Sequence, residues 1–221
     1  MQRIIYLTIL LGSVLFSCVG CVSSKDYDLF EIVTKLQTQR DLLTSARLTY
    51  KTNFPINSIS TMLFQKTTKG CFYKNSTFFS MLDVPELPEQ TQVKILTPDF
   101  LVDWIEFNGK IQAIHKRPAK AGDYHMNFFG TCDLEDLRRQ AGKENIMISE
   151  EIYNGFDTYV FTDLNNDKTT SIYKIDKATG ITVYSCYNYI AGKSDDEYSV
   201  IKLEVNPQLD VKEFDINRIE E

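Results

Sequence analysis

DTYVFTDL at residues 157–164, TSIYKID at 170–176, ITVYSCYNYI at 181–190 and YSVIKLEV at 198–205 repeat one local design. Each segment is short and rich in β-branched and aromatic side chains, the composition of a strand. Asn165-Asn166-Asp167-Lys168, Lys177-Ala178-Thr179-Gly180 and Ala191-Gly192-Lys193-Ser194-Asp195-Asp196 separate them. Asn, Asp and Gly tolerate the dihedrals of tight turns, which β-branched residues resist. Strands joined so closely run antiparallel, so the stretch from Ile146 to Val205 reads as a meander.

Upstream, Arg47–Phe54 and Ser60–Lys66 are strand-like, with Pro55-Ile56-Asn57 between them. Lys69-Gly70 turns the chain into Cys71–Lys74, and Thr77–Val84 is a further aromatic-rich run stopped by Pro85-Glu86-Leu87-Pro88, since proline cannot donate to a ladder. Thr91–Leu96 and Leu101–Phe107 follow, and Asn108-Gly109 before Lys110–His115 is a hairpin signal. Val102 and Trp104 share one face of their strand while Ile105 and Phe107 take the other. Either the sheet is covered on both sides or its second face lines an apolar cavity.

Helical spacing appears in two places. Leu29, Ile32, Val33, Leu36 and Leu43 form one stripe within residues 26–46, with Ser24 or Asp26 as the cap. That stripe is buried either on a protein core or on a lipid surface, and its polar face lacks the Lys and Arg excess of a surface-bound helix. Asp133 caps a short helix, Leu134–Ala141, ended by Gly142. Tyr124–Phe129 either starts another helix or packs into the core.

Residues 1–21 are a targeting segment rather than part of the fold: Arg3 precedes an apolar run, Ile4–Phe16, too short to span a bilayer. Leu15-Phe16-Ser17-Cys18 resembles a bacterial lipobox, with Phe16 departing from the small residue usual there. Cys18 is the expected lipidation site and Cys21 the alternative. Lipid on this cysteine would anchor the protein without a span, because each buried methylene contributes about 0.8 kcal/mol.

Composition narrows the remaining options. At 221 residues, 43% hydrophobic and 24% charged, the chain is long enough for a substantial core in one domain or two. The net charge of −6, with no run of Lys and Arg, argues against nucleic acid. Cys71, Cys132 and Cys186 lie far apart and only His115 and His125 are present, so no zinc spacing exists. The three cysteines are compatible with one disulfide or with buried thiols. Asp163-x-Asn165-x-Asp167 has Lys168 where a calcium loop needs glycine and Lys174 where it needs glutamate, so it reads as a turn. Neither histidine sits in a nucleophile motif and no phosphate loop occurs. No enzyme, cofactor or metal is expected.

The order of elements carries a resemblance. A signal segment, a long amphipathic helix, strands with the Phe107-Asn108-Gly109-Lys110 turn, a helical insert, a second meander with Ile175-Asp176-Lys177-Ala178-Thr179-Gly180-Ile181, and Val205-Asn206-Pro207 leading to Phe214 together resemble the LolA/LolB lipoprotein carrier and receptor superfamily. The resemblance implies an α+β fold over residues 22–221, with a strongly curved antiparallel sheet, an incomplete β-barrel, wrapped around helices. It also implies an apolar cavity for lipid or lipoprotein acyl chains, with Leu36, Leu43, Trp104, Phe107, Phe161 and Tyr173 as its expected lining. The expected place is the bacterial cell envelope, lipid-anchored at the outer membrane and facing the periplasm. The alternative is a tethered module with a filled interior that recognises another envelope protein.

Overall fold

Asp28 starts the first described element. Its carboxylate accepts from the N–H groups of Phe30 and Glu31 at 2.9 and 3.2 Å, capping helix α1 (Leu29–Asp41). Such a cap contributes about 1 kcal/mol. The computed structural model describes residues 27–53, 57–79, 90–107, 109–120, 123, 134–139, 146–164, 170–188 and 196–214. The expected targeting segment with Cys18 and Cys21, the expected loop at Pro85, Tyr124–Phe129, Cys132, His125 and the expected turn at 165–168 lie outside these residues.

Among the described residues eleven strands follow: β1 (Ser45–Thr52), β2 (Ser58–Thr67), β3 (Gly70–Phe79), β4 (Gln90–Leu96), β5 (Phe100–Phe107), β6 (Lys110–Pro118), β7 (Ile146–Tyr153), β8 (Phe156–Leu164), β9 (Thr170–Asp176), β10 (Thr182–Asn188) and β11 (Asp196–Val205). A short helix, α2 (Leu134–Arg139), separates β6 from β7. All eleven join one antiparallel sheet, in which β1 to β6 run outward in one direction, β7 to β11 return from the other, and β11 pairs with β1. The outermost strands β6 and β7 do not pair with each other, so the sheet is open. The meander over 146–205 holds five strands rather than four, because Asn154-Gly155, at φ 50 and 86, makes the hairpin between β7 and β8. The runs at Cys71–Lys74 and Thr77–Val84 are halves of a single strand, β3.

Residues directly opposite in antiparallel strands share a face, so the register sorts the side chains. One face carries Leu48, Phe64, Phe161 and Ile175 and receives the helices. There Ile32, Val33 and Leu36 of α1 and Leu134 and Leu137 of α2 pack on Phe161 and Ile175. The other face carries Val93, Ile95, Val102 and Trp104, a separate buried cluster. The C-terminal segment crosses this second face, where Leu209 and Phe214 pack on Leu63 and Phe72. Arg47 holds that segment by pairing with Glu204 and Glu213 at 3.1 and 3.0 Å. The apolar groups on both faces of β5 therefore have a structural reason. Val102 and Trp104 are buried on one side, while Ile105 and Phe107 stay half-buried on the other.

The Asp176–Ile181 turn fixes α1. The Asp176 carboxylate accepts from the Thr179 N–H and hydroxyl at 3.0 and 2.6 Å, and Gly180 follows at φ 69. The freed Gly180 carbonyl accepts two bonds from Arg40 of α1, at 3.1 and 2.7 Å. A second tie joins the start of β1 to the end of β11. Asn206, at φ 50, accepts through Oδ1 from the N–H groups of Thr44 and Ser45, and the Ser45 hydroxyl donates to the Pro207 carbonyl.

Just before the end of β6, Arg117 donates to both carboxylate oxygens of Asp123 at 2.7 and 2.6 Å, and the Lys120 N–H adds a third bond. The Arg117 bonds, then the Lys120 N–H, hold the Asp123 carboxyl down to about 2. A depressed folded pKa stabilises the fold above the ordinary carboxylate value, and that contribution is lost as pH falls toward 2. An NMR titration should place the Asp123 midpoint near 2, and Arg117→Ala should return it toward the ordinary value. A midpoint unmoved by that substitution would contradict the pairing.

Candidate functional site

The six residues expected to line an acyl-chain cavity fall in different places. Leu36 and Phe161, both 0% exposed, meet between α1 and the sheet, and half-buried Tyr173 packs against them. The Tyr173 hydroxyl donates to that of Tyr187 at 3.0 Å. Leu43 belongs to a neighbouring cluster with Ala46, Leu48, Phe64 and Ile181. Trp104 lies in the cluster on the opposite face and donates through Nε1 to Glu106 at 2.8 Å. Phe107 ends β5, half-buried, opposite Gln90 and Lys110. The structure thus brings together Leu36, Phe161 and Tyr173, and keeps the other three apart from them.

An open cleft lies elsewhere. It measures about 470 Å³ and is lined by Lys51, Thr52, Asn53, Asn57, Ser58, Ile59, Glu197 and Ile201. Its origin is local. β1 and β11 pair regularly from Ala46 to Thr49, then slip between Thr49 and Tyr50, leaving Ile201 as the extra residue of a bulge. The bulge leaves Ile201 56% exposed, near Ile59, which is 50% exposed. Lys51 stands directly opposite Ile59, and Ile59 opposite Phe78 of β3, on the face turned away from the helices. The rim is pinned by reciprocal bonds: the Asn53 N–H donates to the Glu197 carbonyl at 3.2 Å, and the Glu197 N–H donates to Asn53 Oδ1 at 2.7 Å. The Thr52 and Ser58 hydroxyls bond to each other at 2.9 Å.

Such a cleft suits an apolar group held between Ile59 and Ile201, with opposite charges from Lys51 and Glu197 at its rim. A volume of several hundred cubic ångströms is the size at which small apolar ligands or anchoring side chains are held. Sequence reading did not find these residues. Ile59 sits in Ser-Ile-Ser-Thr-Met-Leu-Phe, where neither alternate set is wholly apolar, and Ile201 in an unbroken Val-Ile pair.

Among the described residues, fold and cleft together define an open single-sheet scaffold with helices on one face and an open recess on the other. No family model and no curated protein matches the sequence. Among solved structures, the chain is similar to MucB in the MucA/MucB complex of Pseudomonas aeruginosa, at 12% identity and a TM-score of 0.52 over 86% of this chain and 61% of that one. It is also similar to MucB alone, at 12% identity and a TM-score of 0.50, covering 85% of this chain and 62% of that one. A third neighbour is an outer membrane lipoprotein-sorting protein domain from Vibrio parahaemolyticus, at 11% identity, a TM-score of 0.37, and coverage of 87% and 98%. A lipoprotein-sorting domain of the kind the sequence resembles is therefore among the neighbours, while the likeness of fold is carried by MucB. The chain spans about three fifths of the length of MucB.

Proposed function

We propose that this protein is a non-enzymatic binding module of the bacterial cell envelope, tethered by lipid on Cys18 and recognising another protein through the Ile59–Ile201 cleft. The observation that carries this reading is the contrast between interior and surface. Leu36, Phe161 and Ile175 are buried together between α1 and the sheet, whereas Ile59 and Ile201 stand open on the far face. Burying exposed apolar area contributes about 25 cal/mol per Å², and an open recess of this kind gains it by taking a partner's side chain. MucB, the fold neighbour, has been captured in a complex with MucA, which supports a protein as the partner.

A second reading keeps the acyl chain as ligand, because the apolar walls and volume of the cleft would also take one. It treats the sheet as curved around the helices, with Leu36, Phe161 and Tyr173, which the structure brings together, as the lining of a space that opens to admit lipid. Intact mass analysis of protein extracted from membranes separates the two. The expected result is a diacylglyceryl modification on Cys18 and no stoichiometric non-covalent lipid. Retained lipid that Ile59→Lys releases would move the proposal to the acyl-chain reading.

A further inference from the structure

The two edges of the sheet differ in a way that points to a second binding surface, away from the cleft. Strand β6 is blunted against pairing: Ala113 sits at φ 52 beside a register shift, Pro118 closes the strand, and Lys110, Lys116 and Arg117 line it. Bulges, prolines and lysines are how sheets prevent unwanted strand addition. Strand β7 has none of these. It pairs with β8 in an unbroken register from Ile146↔Asp163 to Tyr153↔Phe156, and among the described residues no strand lies on its other side.

The side chains of β7 state what would add there. Ile146, Ile148, Glu150 and Ile152 share the face that receives the helices, and Ile146 and Ile148 already pack on the α1 cluster. Ile152 is 80% exposed at the end of that row. The opposite face carries Met147, Ser149, Glu151 and Tyr153, with Met147 55% exposed. Glu151 pairs with Lys174 at 2.6 Å, yet its side chain stays 41% exposed. We propose that β7 accepts an extended segment of a partner protein as a twelfth strand, apolar residues of the segment lying beside Ile148 and Ile152 and alternate basic residues beside Glu151. Main-chain bonds supply the affinity of such strand addition, and alternate side chains its selectivity. A like charge opposite Glu151 disfavours pairing, and an opposite one favours it.

The test uses the full chain and a synthetic peptide as long as β7 that alternates valine with lysine, followed by hydrogen exchange. At a peptide concentration about ten times its dissociation constant, β7 amides not bonded to β8 should exchange about tenfold more slowly, with β6 unaffected. The effect should disappear in the Met147→Lys/Ile152→Lys variant, whose substituted side chains are exposed and should leave folding intact, and with glutamate in place of the peptide's lysines. Ile59→Lys should leave it unchanged, which separates this surface from the cleft. Equal protection of β6 and β7, or none at saturating peptide, overturns the proposal. So does concentration-dependent dimerisation that the same double variant abolishes, since the edge would then belong to a second copy of the chain.

Discussion

Replacing Gly180 with alanine should lower stability by about 2–5 kcal/mol, the sum of about 1–2 for forcing an L side chain into the left-handed region and about 1–3 for overpacking. Both terms act at this position. Gly180 holds φ 69, and a Cβ there would be driven into the Leu36 carbonyl oxygen and come within 3.1 Å of its carbon. The obstacle is helix backbone, which cannot rotate aside like a side chain. Arg40, whose Cβ would stand 3.3 Å away, would lose its two bonds to the Gly180 carbonyl if α1 moved to make room. At about 2–4 °C per kcal/mol for a chain of this size, thermal unfolding should fall by roughly 5–20 °C. The matching substitution Gly155→Ala meets no atom within 4 Å and should lose only the conformational part. Equal melting shifts for the two variants would mean that α1 does not rest on this turn.

Truncating Phe161 to alanine is the second large effect, at about 3–5 kcal/mol. The ring is fully buried among Leu36, Ile175, Leu134 and Leu137, drawn from both helices and from β9. The cost measures how full that space is, because a residue lining an existing cavity loses only its own transfer energy, about 1.5–3 kcal/mol. Urea unfolding monitored by tyrosine fluorescence gives the number. Ile59→Ala, at an exposed strand position, should change stability by no more than about 0.5 kcal/mol. A Phe161 loss at or below about 1.5–3 kcal/mol would contradict a filled interior and return weight to an acyl-chain cavity between α1 and the sheet.

Antiparallel meanders on either side of a helical insert were legible from turn residues and strand composition alone. So was α1, although its cap is Asp28 rather than Ser24 or Asp26. Asn154-Gly155 is the same dipeptide as Asn108-Gly109, and the charged Glu150-Glu151 beside it hides the strand that it turns. The Ile175–Ile181 motif was read as a hairpin turn; its further role, seating α1 through Gly180 and Arg40, depends on contacts across 140 residues that no local pattern encodes. Burial of Leu36 followed from helical periodicity, whereas Phe161 was expected only as a cavity-lining residue implied by the resemblance. Which apolar residues share a cluster did not, since register decides it, and the slip at Thr49/Tyr50 that exposes Ile201 is a long-range event.

Photo-crosslinking in intact cells tests the central claim most directly. A benzophenone amino acid is placed at Ile59 in one variant and at Tyr173 in another, and the adducts are identified by mass spectrometry. Peptide adducts from a discrete envelope protein at position 59, lost when Ile201→Lys is added, with no lipid adduct at position 173, are the predicted result. Phospholipid or lipoprotein acyl adducts at position 173, with no protein adduct at position 59, would contradict it.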